Sequence, residues 1–154
     1  EEAAMRGRRR RYAAVATVTL LGALGAIQLV PIERTTRPGT GDPPAANDVR
    51  WILRRACYDC HSTETRWPLW AYVAPISWQV VDDVERARAA VTFSDWPSMD
   101  RGRRIAARAM VGPMTGSHRM PLWYYVPLHP DARLSDADLA ALRAWSQAAA
   151  TEPD

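Results

Sequence analysis

The sequence has no lysine, a single phenylalanine, only two cysteines and no stretch that alternates apolar and polar residues over the length of a strand. Each absence removes a class. Without strand patterning there are no βαβ units, and so no thioredoxin-like domain in which a cysteine pair would act as a redox centre. Without a second closely spaced pair of cysteines, a zinc site would have to recruit two of the three histidines. The missing lysines are replaced by arginine, which supplies all 20 basic residues against 17 acidic ones and by itself says nothing about function. Net charge is missing too beyond the N-terminus: residues 1–11 hold five arginines and two glutamates, which is the whole +3 of the chain. From Tyr12 onward the protein is neutral overall, which argues against a nucleic-acid-binding face. There is no internal repeat.

Charge is also absent from YAAVATVTLLGALGAIQLVP, residues 12–31. A helix of that length reaches about 30 Å, the thickness of the hydrocarbon core, so the run is expected to be a transmembrane helix. A cleaved signal peptide is the competing reading, because the preceding arginines and the small residues from Gly22 to Ala26 suit one; the apolar run exceeds the usual length of such a segment. Arginines before the run, and almost none just after it, place the N-terminus in the cytoplasm and the rest of the chain outside, in the periplasm of a bacterium with two membranes. Residues 32–47, rich in proline, glycine and threonine and without apolar periodicity, read as a linker whose ends lie about 20 Å apart as a flexible coil.

Residues 48–154 form the expected domain, and its class is all-α. Val49, Ile52, Leu53, Ala56 and Cys57 fall on one helical face behind a cap at Asn47 or Asp48. A second helix is predicted from Pro75 to about Val91, with Val80, Val81 and Val84 opposed to Arg88. A third is predicted from about Ser98 to Met110, stopping at Gly112-Pro113. The last has the strongest start signal: Ser135 and Asp138 approximate a capping box, and Leu139, Leu142 and Trp145 give it an apolar face. All seven tryptophans lie in this domain, whose modest length leaves room for a cofactor at the centre of its core.

Both cysteines stand in RRACYDCHSTETRWP, with His61 directly behind the second. A disulfide between Cys57 and Cys60 is one reading of the pair, and zinc held with two histidines another. C-x-x-C-H is also the attachment signature of c-type haem, and chemistry explains its spacing. Cysteines three apart lie about one helical turn from each other, within reach of the two vinyl groups on one porphyrin edge, and the following His61 can place an imidazole nitrogen beneath the iron. For the opposite side of the iron, Met5 lies across the membrane, and Met99 and Met110 fall at helical spacing that suits a core. Met114, His118, Met120 and His129 remain. Met120 precedes Pro121 in GPMTGSHRMPLWYY, a segment that cannot continue a helix and so can cross a haem face as a loop. The carbonyls near Trp67-Pro68 are candidates for holding the second ring nitrogen of His61, and Arg54, Arg55, Trp67, Arg119 and Trp123 for meeting haem propionates.

CYDCHS, TRWPLWAYVAPISWQVVDDVERAR, FSDW, RMP and the closing LSDADLAALRAW together resemble the small bacterial haem-binding domains, which carry one CxxCH, a W-P-x-x-x-x-x-A-P-x-S-W segment and a late Met-Pro. The resemblance covers about residues 50–146. It implies a cytochrome c-like fold, one covalently bound haem c, and Met120 as the partner of His61 at the iron. No catalytic base beside an open pocket is legible, so the expected function is one-electron transfer, not enzymic turnover, as a membrane-anchored carrier serving a membrane-embedded respiratory or photosynthetic complex. A haem enzyme or gas sensor with an open or displaceable sixth ligand, and a structural haem subunit, are the alternatives.

Overall fold

The structure is a computed structural model and describes residues 2–151. Among them there are six α-helices, several short 3-10 turns and no strand; a lone bridge joins Gly41 to Asp95. The all-α expectation holds. The chain divides into two compact units, one built from the residues up to Glu33 together with Pro68–Val81, the other from Arg34–Trp67 and from Asp82 onward.

In the first unit, α1 spans Glu2–Ile27. The expected transmembrane helix over 12–31 is corrected here: the helix begins in the charged arm and ends four residues early, and no helix among the described residues is long and apolar enough to cross a membrane. Its uncharged part, residues 12–27, reaches only about 24 Å at the rise of an α-helix. Two features stop it. Pro31 disfavours the helical conformation at Val30. The side chain of Gln28 is also turned back, donating to Leu24 O at 3.0 Å and to Ala74 O at 3.1 Å while accepting from Ala74 N at 2.9 Å.

The second unit is built around one apolar cluster. Its first helix, α2 (Asn47–Ala56), buries Val49, Ile52, Leu53 and Ala56, the face that the spacing predicts. Ala46, not Asn47 or Asp48, occupies the N-cap position and has no capping side chain, but the Asp48 carboxylate accepts from Val49 N in the first turn at 2.8 Å. A break at Cys57 leads into the single turn α3 (Tyr58–His61). Tyr58, Phe93, Trp96 and Trp145 then form a continuous aromatic run with ring centroids 6.1, 6.1 and 6.2 Å apart, which fills the core between α2 and the C-terminal helix.

α4 runs over Ile76–Ala90, close to the expected bounds. α5 spans Arg101–Gly116, capped by the Asp100 carboxylate, which accepts from Arg103 N. It does not stop at Gly112-Pro113 as expected. Pro113 has no N–H for Ala109 O, but that carbonyl is satisfied by the Ser146 hydroxyl at 2.7 Å, so the helix continues through the proline. Gly112 permits this pairing: a Cβ there would sit 3.0 Å from both Cβ and Oγ of Ser146. Ser146 belongs to α6 (Asp136–Gln147), which opens on the complete capping box of Ser135 and Asp138 and buries Leu142 and Trp145.

Residues 34–47, expected as part of a loose linker, have no helix before Asn47 but are bonded along the domain. Arg37 N donates to Thr63 O at 2.8 Å, Gly41 N to Ser94 O at 3.0 Å, and Trp145 Nε1 to Pro44 O at 3.0 Å. Arg37 pairs with Asp95, and Arg88 binds Thr35 Oγ1, Ser62 O and Thr65 Oγ1 at 2.7–2.8 Å. Burial of Asp95 and Trp96 and the close approach of Gly39 to Ser94 lie beneath this strap.

Candidate functional site

The break between α2 and α3 decides where the site's side chains go. Cys57 O accepts from Cys60 N at 3.2 Å and from His61 N at 2.8 Å, closing one tight turn around both cysteines. That turn is pinned by its middle residue: Asp59 accepts from Arg66 Nε at 3.1 Å and from the Tyr125 hydroxyl at 2.9 Å. His61 O in turn accepts from Phe93 N at 2.8 Å, so the histidine is bonded to the aromatic core.

The imidazole of His61 is oriented by two carbonyls. Its Nδ1 lies 3.0 Å from Ala87 O and 3.3 Å from Val91 O, at the C-terminal end of α4. Both are acceptors only, so Nδ1 carries the proton and Nε2 keeps its lone pair. The expectation that carbonyls near Trp67-Pro68 fill this role is corrected. Burial pushes the ring's pKa down, outweighing the opposite pull of the two carbonyls, and the neutral, ligand-competent form is favoured.

Cys57 and Cys60 are free thiols, both half-buried. Burial pushes Cys57 up to about 12, with Cys60 nearby adding to it, and Cys60 up to about 11, with Asp59 and Asp83 adding to it. Thiols held protonated in this way are the opposite of a redox-active C-x-x-C pair, whose nucleophile has a lowered pKa.

His61 and Cys57 line an apolar cavity of about 400 Å³, within the range of sites that hold cofactors. Much of the rest of the lining comes from α5. Arg103, Ala106, Ala107, Met110, Val111, Met114 and Thr115 recur at helical spacing along it and present one face to the cavity. Met120 and Pro121 line it as well. Met120 arrives there because of how α5 terminates. Ser117 is the C-cap, His118 takes a left-handed conformation at φ 55°, His118 N donates to Thr115 O and Arg119 N to Met114 O, which together make a Schellman motif. Met120 N then donates to Met114 O at 3.1 Å, turning the chain back across the helix end.

The structure therefore brings Cys57, His61, Met114 and Met120 to one cavity and leaves Cys60 just outside its lining. Met99 packs against the core cluster, as its spacing suggests, whereas Met110 is half exposed and faces the cavity, a correction to its reading as core. His118 is an exposed turn residue, and His129 stacks on Tyr125 at 3.8 Å. No group of three or more His, Cys, Asp and Glu side chains able to hold a metal ion gathers among the described residues. Of the residues expected near propionates, Arg54 is engaged with Asp42 and Glu64, Arg55 with Asp138, and Trp67 with Thr36; none lines the cavity. Arg103 does, and was missed, although it opens a helical stripe that is visible in the sequence once α5 is extended past Pro113.

The donor set fits a haem. An apolar cavity lined by an imidazole that keeps a lone pair, by thioethers, by the Cys57 thiol and by an arginine has the chemistry that such a group requires. A family model described as a haem-binding domain matches residues 22–148, a span that includes both cysteines and every residue lining the cavity. No curated protein and no solved structure matches the chain.

Proposed function

We propose that this chain, which belongs to the haem-binding domain family, is a membrane-attached, cytochrome c-like carrier of single electrons holding one covalently bound haem c. The observation that carries the reading is the orientation of His61: both acceptors at Nδ1 leave Nε2 directed to chemistry, and the ring lines the same cavity as Cys57 and Met120. Haem bound there supplies a one-electron iron couple in an apolar medium.

The residues have separate tasks. Cys57 and Cys60 would hold the haem through two thioethers, and burial keeps both thiols protonated. His61 would hold the iron through Nε2, because Ala87 O and Val91 O fix the tautomer at Nδ1. Met120 would hold the iron together with His61, and Met114, which lines the same cavity, is the substitute. Arg103, which lines the cavity and donates to Ala89 O at 2.8 Å, keeps further N–H donors with which it would meet a propionate.

Two protein ligands would leave no open position for a substrate or gas, which favours a carrier over an enzyme or sensor. Attachment to a membrane is supported by the uncharged surface of α1 beyond its arginines, and the arginine bias places the haem domain outside the cytoplasm, periplasmic in a bacterium with two membranes. The partner would be a membrane-embedded electron-transfer complex, since a domain neutral overall has little long-range field to collect a soluble one. Carbon monoxide added to the reduced protein tests the reading. The spectrum should stay unchanged in the native protein and shift in Met120→Ala. A rapid shift in the native protein would instead indicate an open or displaceable ligand, and with it a sensor or enzyme.

A further inference from the structure

Beyond α1, the first unit contains a second stretch with no charged residue at all, Trp67–Val81, whose part in the unit begins at Pro68. It forms a 3-10 turn over Leu69–Tyr72, then the start of α4, and it exposes several large apolar side chains: Leu69 is 86% exposed, Tyr72 58%, and Val73 and Ile76 54% each. Leu29 and Val30, just past the end of α1, are exposed as well, at 84% and 51%. Apolar surface of this density and without a charge within it calls for a cover.

We infer that residues 69–78, together with Leu29 and Val30, form an interfacial foot that sits in the lipid bilayer at the C-terminal end of α1; the inference rests on the membrane attachment proposed above. Three observations identify lipid as the occupant. The foot is continuous with the apolar helix, because Gln28 joins the two. That side chain, the one amide between Tyr12 and Ile32, uses both Nε2 protons and Oε1 inside the unit, on Leu24 O, Ala74 O and Ala74 N, so nothing of it is left needing water. Much of the segment's backbone is bonded within the segment as well: Ala71 N donates to Pro68 O, Val73 N to Trp70 O, Ser77 N to Val73 O and Trp78 N to Pro75 O. Finally, Tyr72 and Trp78 are exposed amid aliphatic residues, the composition found where a protein meets the headgroup boundary.

The test uses the full-length protein in vesicles of phosphatidylcholine and phosphatidylglycerol. A photo-crosslinking benzoylphenylalanine is placed in turn at Val73, at Ile76, at Leu21 on α1 and at the exposed Ala140 of the haem domain, and lipid adducts are counted by mass spectrometry. Adducts at Val73 and Ile76 should approach the yield at Leu21 and exceed that at Ala140 several-fold. Adducts at Leu21 alone, with Val73 and Ile76 no better than Ala140, would overturn the foot while leaving membrane attachment standing. Chain-to-chain adducts at Val73 and Ile76 would show that a second copy covers the face, and would overturn it too. No lipid adduct at any position, Leu21 included, would remove membrane attachment and the foot together.

Discussion

The Tyr125 hydroxyl donates to the Asp59 carboxylate at 2.9 Å and so links the turn that carries Cys57, Cys60 and His61 to the segment that follows Met120. Two segments that contribute lining residues to the candidate haem cavity are thereby tied to each other, with Arg66 as the second partner of Asp59. Burial and the neighbouring Asp59 both push the pKa of the Tyr125 phenol up, so the group remains a donor throughout the physiological range.

Tyr125→Phe should therefore cost about 1 kcal/mol of stability in chemical denaturation, the value of one such bond when Asp59 keeps its arginine. In the haem-loaded protein the sulfur-to-iron charge-transfer band should also bleach at lower temperature than in the native protein, because the Met120 loop has lost its tie. Unchanged stability together with an unchanged thermal profile of that band would show that the loop is held by other contacts.

His118 sits at the C′ position of α5 with φ 55°, where a Cβ is strained and glycine is favoured. His118→Gly should raise stability by up to about 1 kcal/mol and leave the haem spectrum unaltered. A changed spectrum would return His118 to the list of iron ligands; a loss of stability would mean that its exposed ring makes contacts that outweigh the backbone strain.

Acid should act on the strap. Arg37 holds the Asp95 carboxyl below its usual range, assisted by Thr40, against the opposing effect of burial. A carboxylate with a depressed folded pKa contributes stability that is present above its unfolded pKa of about 4 and is lost as pH falls through the folded value. The slope of stability against pH below about 4 should accordingly be shallower in Asp95→Asn than in the native protein, while the two curves run parallel near neutrality. Equal slopes at acid pH would show that other carboxylates, such as Asp42 and Asp138, govern acid unfolding.

Helix by helix, what could be read in advance follows from how local the cause is. The Ser135–Asp138 box, the buried face Val49–Ile52–Leu53–Ala56 and the turn of Cys57 and Cys60 are set by neighbours within one or two turns, and all were legible. The end of α5 was not, because the partner that satisfies Ala109 O is Ser146, on another helix. The carbonyls that orient His61 come from Ala87 and Val91, some 26 and 30 residues away, and nothing in the motif itself points to them. The same holds for residues 34–47: their proline and glycine content suits a tether, yet Arg37, Gly41 and Pro44 find partners at Thr63, Asp95, Ser94 and Trp145. The end of α1 at Ile27 depends on Gln28 reaching Ala74, again a contact that composition does not reveal.

The central claim, a single haem c fixed through Cys57 and Cys60, is tested most directly by the intact mass of the protein purified from a host able to attach haem and then fully denatured. The account predicts the mass of the chain plus one haem, and the bare chain mass in the Cys57→Ala, Cys60→Ala double variant. A native protein whose denatured mass is that of the bare chain, or a double variant that keeps the added mass, would contradict it.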